Sequence, residues 1–230
     1  MLREIAKVWR RGGLMKDVVD ELAQMIVDAE YVFTRAWEVC SGQAIISTTK
    51  EPLRERDKLV NEQERKIRRM LVEHMSINPG SDASGCLAVM AMAKDAERIG
   101  DLAKDIFKLG AELDGKGREL AYFERLDSVQ KLLLQNFPRL QQAIRESSDE
   151  IAHEILYTYG QVKTPCKDMI NDLLKDDLPT REATITALLI HNFTRINAHI
   201  GNAASGVIFP IENIDFVSRG LREEKKREEE

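Results

Sequence analysis

The sequence is short of cysteines, of aromatic residues and of long apolar runs. Its three cysteines, Cys40, Cys86 and Cys166, are widely separated and form no C-x-x-C pair, which favours a reduced cytoplasmic compartment. No apolar run approaches the ~18 residues of a membrane span, and no signal-peptide pattern opens the chain. The net charge of −5 argues against a general nucleic-acid binder, which needs a clustered excess of Lys and Arg. We therefore expect a cytoplasmic protein that binds no nucleic acid.

The composition is that of a soluble helical protein. Aromatic residues make up only 6% of the chain, whereas 43% of the residues are hydrophobic and 32% are charged. Glycine and proline are also sparse, at 13 and 6 residues, so few residues would interrupt a long helix. A chain of 230 residues is long enough for one large domain or for two small ones, each with its own core.

Helical periodicity divides the first half of the chain into three helices. Apolar residues recur every three or four positions over residues 15–40, which predicts a long first helix. The second helix is expected to start at a capping box, Thr48-x-x-Glu51, and to run to about Met75. The third is expected to begin after residues 81–82 and to end at Gly110.

The second half repeats this pattern after a glycine-rich stretch at residues 110–117. A fourth helix is expected from about Arg118, bent at Pro138. A capping box at Ser147-x-x-Glu150 predicts the start of the fifth, which should reach residue 174 with a break between residues 160 and 165. The sixth should span about residues 180–207.

The predicted fold is therefore all-α, with two tandem antiparallel three-helix bundles. The predicted segments are a basic N-terminal stretch at 1–14, a first repeat at 15–110, a linker at 111–117, a second repeat at 118–208 and a charged tail at 209–230.

The N-terminal stretch has two interpretations. Residues 1–11 place apolar side chains on one side of a short helix and Arg or Lys on the other. Such a segment either lies on an anionic membrane surface, which would make the protein peripheral to a membrane, or docks on its own bundle. The last ten residues are nearly all charged, and we expect them to be disordered.

A ladder of acids follows one face of the third helix. Glu97, Asp101 and Asp105 are four residues apart and stand one turn above each other. Like charges at this spacing cost a helix about 0.2–0.5 kcal/mol per pair, so the ladder needs nearby cations. Lys94, Lys104 and Lys108 on the same face can provide them, in which case the ladder is an ordinary solvated surface.

The order of residue types in this ladder resembles the PhoU family of phosphate-uptake regulators. The resemblance is carried by Glu97-Arg98-Ile99-Gly100-Asp101-x-Ala103-x-Asp105-Ile106, preceded by a helix with Asp57-x3-Asn61-x2-Glu64, and it extends over roughly residues 15–210. It implies a three-helix bundle that occurs twice and an acidic surface that can bind metal clusters. It also implies a cytoplasmic accessory protein, expected as a homodimer, whose partner is a phosphate transporter or its sensor machinery at the inner membrane face.

The resemblance assigns the metal ligands to the first repeat. The expected ligands lie on the second and third helices and are Asp57, Asn61, Glu64, Glu97, Asp101 and Asp105. Carboxylate and amide oxygens are hard donors, so the metal is a multivalent ion such as iron, manganese, magnesium, zinc or calcium. In the alternative, Arg65, Arg68, Lys94 and Lys104 already pair with these acids, and the surface is only a charge network.

The second repeat lacks the acids that the resemblance requires. Aligning the ends of the third and sixth helices places Thr194 opposite Glu97 and Ala198 opposite Asp101. The fifth helix then presents Tyr159, Lys163 and Cys166 where the second presents Asp57, Asn61 and Glu64. We expect no metal cluster there.

No arrangement of a nucleophile and a base stands out, so the sequence predicts a protein that is not an enzyme. Glu150-x-x-His153 matches the signature of di-iron bundles, but it occurs once where such bundles need it twice. His191 and His199 on the last helix are better explained as packed or solvated side chains than as ligands. Two alternatives stay open, a carboxylate-bridged metalloenzyme and a helical scaffold without a ligand.

Overall fold

The computed structural model describes residues 13–78 and 83–215. These residues contain six α-helices and no β-strand, so the all-α prediction is confirmed. The helices are α1 Leu14–Cys40, α2 Ile46–Ile77, α3 Ala83–Leu113, α4 Phe123–Glu146, α5 Asp149–Leu173 and α6 Thr180–Ile208. The predictions for residues 1–12 and for the tail from residue 216 lie outside the described residues. Within them, no helix combines the length and apolarity needed to cross a membrane.

The six helices form two antiparallel three-helix bundles that share one core. α1, α2 and α3 pack on each other, and so do α4, α5 and α6. The bundles meet where α1 packs on α4 and α3 packs on α6. Four helices are therefore central, while α2 and α5 are outer helices that each pack mainly on two neighbours. The predicted limits of the two repeats stay a prediction, because the core is continuous between them.

The scarce aromatic side chains gather where the bundles meet. The Phe33 ring lies 5.7 Å from that of Phe137 and 5.9 Å from that of Phe193, between ring centroids. The Trp37 ring lies 5.4 Å from Phe193 and 5.7 Å from Phe123. Such pairs contribute about 0.5–1.5 kcal/mol beyond the area they bury. This cluster ties α1 to α4 and α6.

Two glycines of the glycine-rich stretch at residues 110–117 allow close packing. A Cβ atom on Gly117 would lie 1.8 Å from the carbonyl oxygen of Cys40, and one on Gly110 would lie 2.7 Å from the Cys40 nitrogen. Only a residue without a side chain allows the backbone to approach the end of α1 this closely. Gly110 therefore does not end α3, as expected from the sequence, and the helix continues to Leu113.

Two helix starts differ from the predicted capping boxes. α2 begins three residues earlier than a cap at Thr48 would allow, and the Thr48 hydroxyl donates to the Ile45 carbonyl instead, at 3.1 Å. In the second half, Ser147 has a φ of 51° and ends α4, while Ser148 is the N-cap of α5. Its hydroxyl accepts a hydrogen bond from the Ile151 nitrogen at 3.3 Å.

Pro165 does not interrupt its helix as expected. α5 runs unbroken through the interval 160–165 where a break was predicted. Pro165 lacks an N–H, which leaves the Gln161 carbonyl without its helical partner, but Gln161 is exposed on an outer helix and water can replace that partner. α4 continues through Pro138, where the sequence predicts a bend and not a break. It begins at Phe123 rather than near Arg118, because the chain first makes a 3₁₀ turn at Gly117–Glu119.

We expect Gly117→Ala to lower the free energy of unfolding by about 1–3 kcal/mol, because the new methyl group forces the backbone away from Cys40. Gly160→Ala is the matched control. No neighbouring atom lies within 4 Å of a Cβ there, so the higher helix propensity of alanine should raise stability by about 0.5–1 kcal/mol. Urea denaturation of both variants measures these values. Equal effects of the two substitutions would contradict the packing role of Gly117.

Candidate functional site

The contact between α2 and α3 brings carboxylates to the edge of the core. The buried residues of α2 are Thr49, Leu53, Val60, Glu64, Ile67 and Leu71. Their spacing of three, four or seven residues places them along one side of the helix. Most are apolar, but Glu64 is charged and lies in the same row, so a carboxylate enters the contact between the helices.

Four acids meet at this contact, and we call them the acidic face: Asp57 and Glu64 on α2, with Glu97 and Asp101 on α3. The side chains of Asp57, Glu64 and Glu97 are only 14%, 8% and 11% exposed, whereas that of Asp101 is 35% exposed. Carboxylates that lose this much water need hydrogen-bonding or charged partners. The partners are lysines and arginines of the same two helices.

Lys104 bridges the two helices at one end of the acidic face. Its Nζ atom lies 3.0 Å from Oδ2 of Asp57 and 2.8 Å from Oδ1 of Asp101. Burial works to raise the pKa of Asp101, but the hydrogen bond and charge of Lys104 outweigh it, and the pKa is lowered overall. Burial works to lower the pKa of Lys104, but its hydrogen bonds to Asp101 and Asp57 outweigh this and raise it. Both groups are therefore charged at neutral pH.

Lys94 holds the other end of the acidic face. Its Nζ atom lies 2.7 Å from Oε2 of Glu97 and 3.8 Å from Oε1 of Glu64. Arg68 adds a 2.6 Å ion pair to the Glu64 carboxylate, and Arg98 lies 3.9 Å from the Glu97 carboxylate. Each carboxylate of the acidic face thus has a cationic side chain of this chain beside it, as in the charge-network alternative derived from the sequence.

Two of the six predicted metal ligands stand apart. The Asn61 side-chain amide donates to the backbone carbonyl of Asp57, at 2.9 Å, within its own helix. The Asp105 side chain is 52% exposed and pairs with Lys108, at 2.7 Å. The structure therefore brings together Asp57, Glu64, Glu97 and Asp101 but neither Asn61 nor Asp105.

As arranged, the acidic face does not fit a multivalent cation. The oxygen donors are of the right type, yet each carboxylate already has an ammonium or guanidinium group beside at least one of its oxygens. Within residues 13–78 and 83–215, no three His, Cys, Asp or Glu side chains form a group that could hold a metal ion. Metal binding by the six predicted ligands stays a prediction.

The corresponding face of the second bundle lacks these carboxylates. A Cβ atom on Gly201 would lie 3.2 Å from Cδ2 of the Tyr159 ring. In the alignment made from the sequence, Gly201 corresponds to Lys104 and Tyr159 to Asp57, and those two residues are also in contact. The aligned positions therefore meet in both bundles, through an ion pair in the first and through an aromatic ring in the second.

Sequence reasoning missed a buried pair between the bundles. Nδ1 of His199 on α6 lies 2.8 Å from Oδ1 of Asp95 on α3, and the Asn202 amide donates to the same oxygen at 3.5 Å. Burial raises the pKa of Asp95, and the hydrogen bond from His199 opposes the rise. Asp95 lies two positions before Glu97, which is about 200° around the helix. That angle was the available signal that Asp95 points away from the acidic ladder.

Comparison with known proteins finds a family match in the first half of the chain and a similar fold over nearly all of it. The family model described as "PhoU domain" matches residues 14–109. The crystal structure of PhoU from Pseudomonas aeruginosa is similar with a TM-score of 0.76 at 19% identity, over 90% of this chain and 98% of that one. The phosphate transport system regulatory protein PhoU from Streptococcus pneumoniae is similar with a TM-score of 0.74 at 19% identity, over 86% and 94%. No curated protein sequence matches the chain. The resemblance stated from the sequence is confirmed, and both bundles have the fold of these structures.

The lowered pKa of Asp101 predicts a pH-dependent contribution to stability. A carboxyl group whose pKa is lower in the folded state stabilises the fold above its unfolded pKa of about 3.9 and loses this effect as pH falls through the folded pKa. Wild type should therefore be more stable than Asp101→Asn from about pH 5 to pH 8, and the difference should shrink below about pH 4. Urea denaturation across this range gives the measurement.

The control for this experiment is Asp105→Asn. Asp105 and its partner Lys108 are both largely exposed, at 52% and 72%, so their ion pair should contribute little at any pH. A stability difference for Asp101→Asn that persists undiminished at pH 3 would show that its carboxylate charge is not responsible.

Proposed function

We propose that the chain is a cytoplasmic accessory protein that regulates phosphate transport or phosphate signalling, on the ground that residues 14–109 match the PhoU domain model. It acts by contact with a phosphate transporter, or with the sensor machinery of that transporter, at the inner face of the membrane. The proposal includes a homodimer as the working form. It requires no catalysis by this chain.

The PhoU domain match is the observation that carries this proposal. Additional support comes from the agreement in fold, which extends over both bundles and nearly the full length of a phosphate transport system regulatory protein. At 19% identity that agreement concerns the fold, so the regulatory role rests on the domain match. The sequence also led us to expect metal binding, and the lysine pairs of the acidic face argue against it.

Deletion of the gene in its own host tests the proposal. We expect cells without it to take up phosphate faster, or to express phosphate-starvation genes, when phosphate is plentiful. Restoring the gene should reverse both changes. Uptake of labelled phosphate and a starvation-gene reporter provide the readouts. Unchanged uptake together with an unchanged reporter would contradict the proposal and favour the scaffold without a ligand. Oxygen- or peroxide-dependent activity of the purified protein would instead favour the metalloenzyme.

The outer side of α2 is the proposed contact surface for the partner. α2 lies inside the matched PhoU domain and packs mainly on α1 and α3, which leaves one side free. Leu59 and Ile77, 45% and 68% exposed, are 18 residues apart, so five helical turns bring them to the same side. Both side chains are therefore available to a partner that packs along this side of α2.

We expect Leu59→Glu to weaken capture of the phosphate transporter while leaving thermal unfolding of the protein unchanged. A charge in the centre of an apolar contact lowers affinity by about tenfold or more, because it loses its water there. Leu188→Glu on α6 is the matched control, since Leu188 is also 45% exposed and lies outside the matched domain. Pull-down with detergent-solubilised transporter measures capture. Equal losses in the two variants would argue against α2 as the contact.

A further inference from the structure

Each lysine of the acidic face lies between two carboxylates that come from different helices. Lys104 contacts Asp57 of α2 and Asp101 of α3 at 3.0 and 2.8 Å. Lys94 contacts Glu97 of α3 at 2.7 Å and lies 3.8 Å from Glu64 of α2. A cation that bridges carboxylates of two adjacent helices would occupy the same positions. Its role, to cancel repulsion and join the helices, is already filled by ammonium groups.

We infer that Lys94 and Lys104 replace a multivalent metal ion on the acidic face, so that the chain joins α2 to α3 by internal cations and works without a metal. This inference concerns the chemistry of the purified protein and is independent of the proposed role in phosphate transport. It predicts that the acidic face gains affinity for a multivalent metal ion when the two lysines are removed, and that removal of one carboxylate reverses this gain.

The charges on the acidic face balance without an added ion. Asp57, Glu64, Glu97 and Asp101 carry four negative charges. The cationic groups within 4 Å of these carboxylates also number four, and they are Arg68, Lys94, Arg98 and Lys104. No net negative charge is left to attract a divalent ion, which must also lose tightly bound water to enter. Electrostatic attraction to the site is therefore weak.

A metal ion and these ammonium groups also compete for the same space. Multivalent ions bind carboxylate oxygens at about 2.0–2.6 Å, and the same oxygens here hold Nζ atoms at 2.7–3.0 Å. To bind at Asp57 and Asp101, an ion must displace Lys104 and leave a partly buried ammonium without its carboxylates. Only 29% of the Lys104 side chain is exposed, so the displaced group would not regain full hydration in place.

The second bundle supports the same interpretation, since it lacks the acids and the lysines together. With the alignment used above, Gly201 stands at the position of Lys104 and His191 at that of Lys94. Lys163 remains nearby, but its Nζ atom lies over the Tyr159 ring, 5.7 Å from the centroid. Within this one chain, lysines at these positions occur only on the bundle whose face carries carboxylates.

The double variant Lys94→Met/Lys104→Met tests the inference, with Mn²⁺ as the probe. Methionine keeps an unbranched apolar stem and lacks the terminal ammonium group, which leaves four carboxylates facing two arginines. We expect wild type to show no saturable Mn²⁺ binding by isothermal titration or by electron paramagnetic resonance of free Mn²⁺. The double variant should bind Mn²⁺ saturably and at least about tenfold more tightly than any residual binding by wild type, and adding Asp101→Asn to it should remove the gain.

Two controls make the result specific to these lysines. Lys108→Met removes a lysine of the same helix that pairs with Asp105 outside the acidic face, and it should behave as wild type. Thermal unfolding of wild type should be the same with and without a chelator. If the double variant does not fold, as judged by circular dichroism, the single variant Lys104→Met replaces it. We then expect the gain in Mn²⁺ affinity to come from Asp57 and Asp101.

Three results would overturn the inference. The first is stoichiometric Mn²⁺ binding by wild type that is lost in Asp101→Ala, because the metal then displaces the lysines. The second is a folded double or single variant that gains no Mn²⁺ affinity. The third is an equal gain in Mn²⁺ affinity in Lys108→Met, which would show that the gain comes from the overall charge of the protein and not from the acidic face.

Discussion

The packing of α1 against the helices around it is the constraint on which the rest of the structure depends. Its buried side chains extend from Met15 to Cys40 and contact α2, α3 and α4, and Phe33 and Trp37 also contact Phe193 of α6. With α1 in this place, α3 and α6 complete a central group of four helices, and α2 and α5 are confined to the outside. The close approach at Gly117 fixes where the chain passes from one bundle to the other.

The outer position of α2 explains the character of the acidic face. α2 packs mainly on two helices, so the row of side chains that it buries against them has solvent along its edge. Carboxylates at that border lose much of their hydration without being sealed in the core. Ion pairs in such places contribute more than the ~0–1 kcal/mol of exposed pairs, while their desolvation costs less than that of fully buried ones. Lysine suits this border, because its long apolar stem packs on the helix and its ammonium group remains near solvent.

Periodicity predicted the helices well and their ends less well. The spacing of apolar residues reports which side of a helix is buried, so all six helices followed from it. Caps and breaks depend on neighbours that are distant in sequence. Gly110 was expected to end α3, yet its lack of a side chain serves the contact with Cys40. Pro165 was expected to break α5, yet exposure of the preceding turn lets the helix continue.

The acidic face was predictable in its members but not in its pairing. Helical spacing places Glu97 and Asp101 on one face with Lys94 and Lys104, and the PhoU resemblance suggests Asp57 and Glu64 as their counterparts. Neither says whether a lysine points to solvent or back between the carboxylates, because its flexible stem permits both.

Comparison of the two bundles resolves what such pairs do. Where the first bundle has Lys104 between acids, the second has the Tyr159 ring against Gly201. Ion pairs in one bundle and an aromatic ring in the other hold an outer helix onto the last helix of its bundle. Because the same contact forms with and without charges, its shared role is structural, and any ligand chemistry of the acids depends on displacing the lysines that perform it.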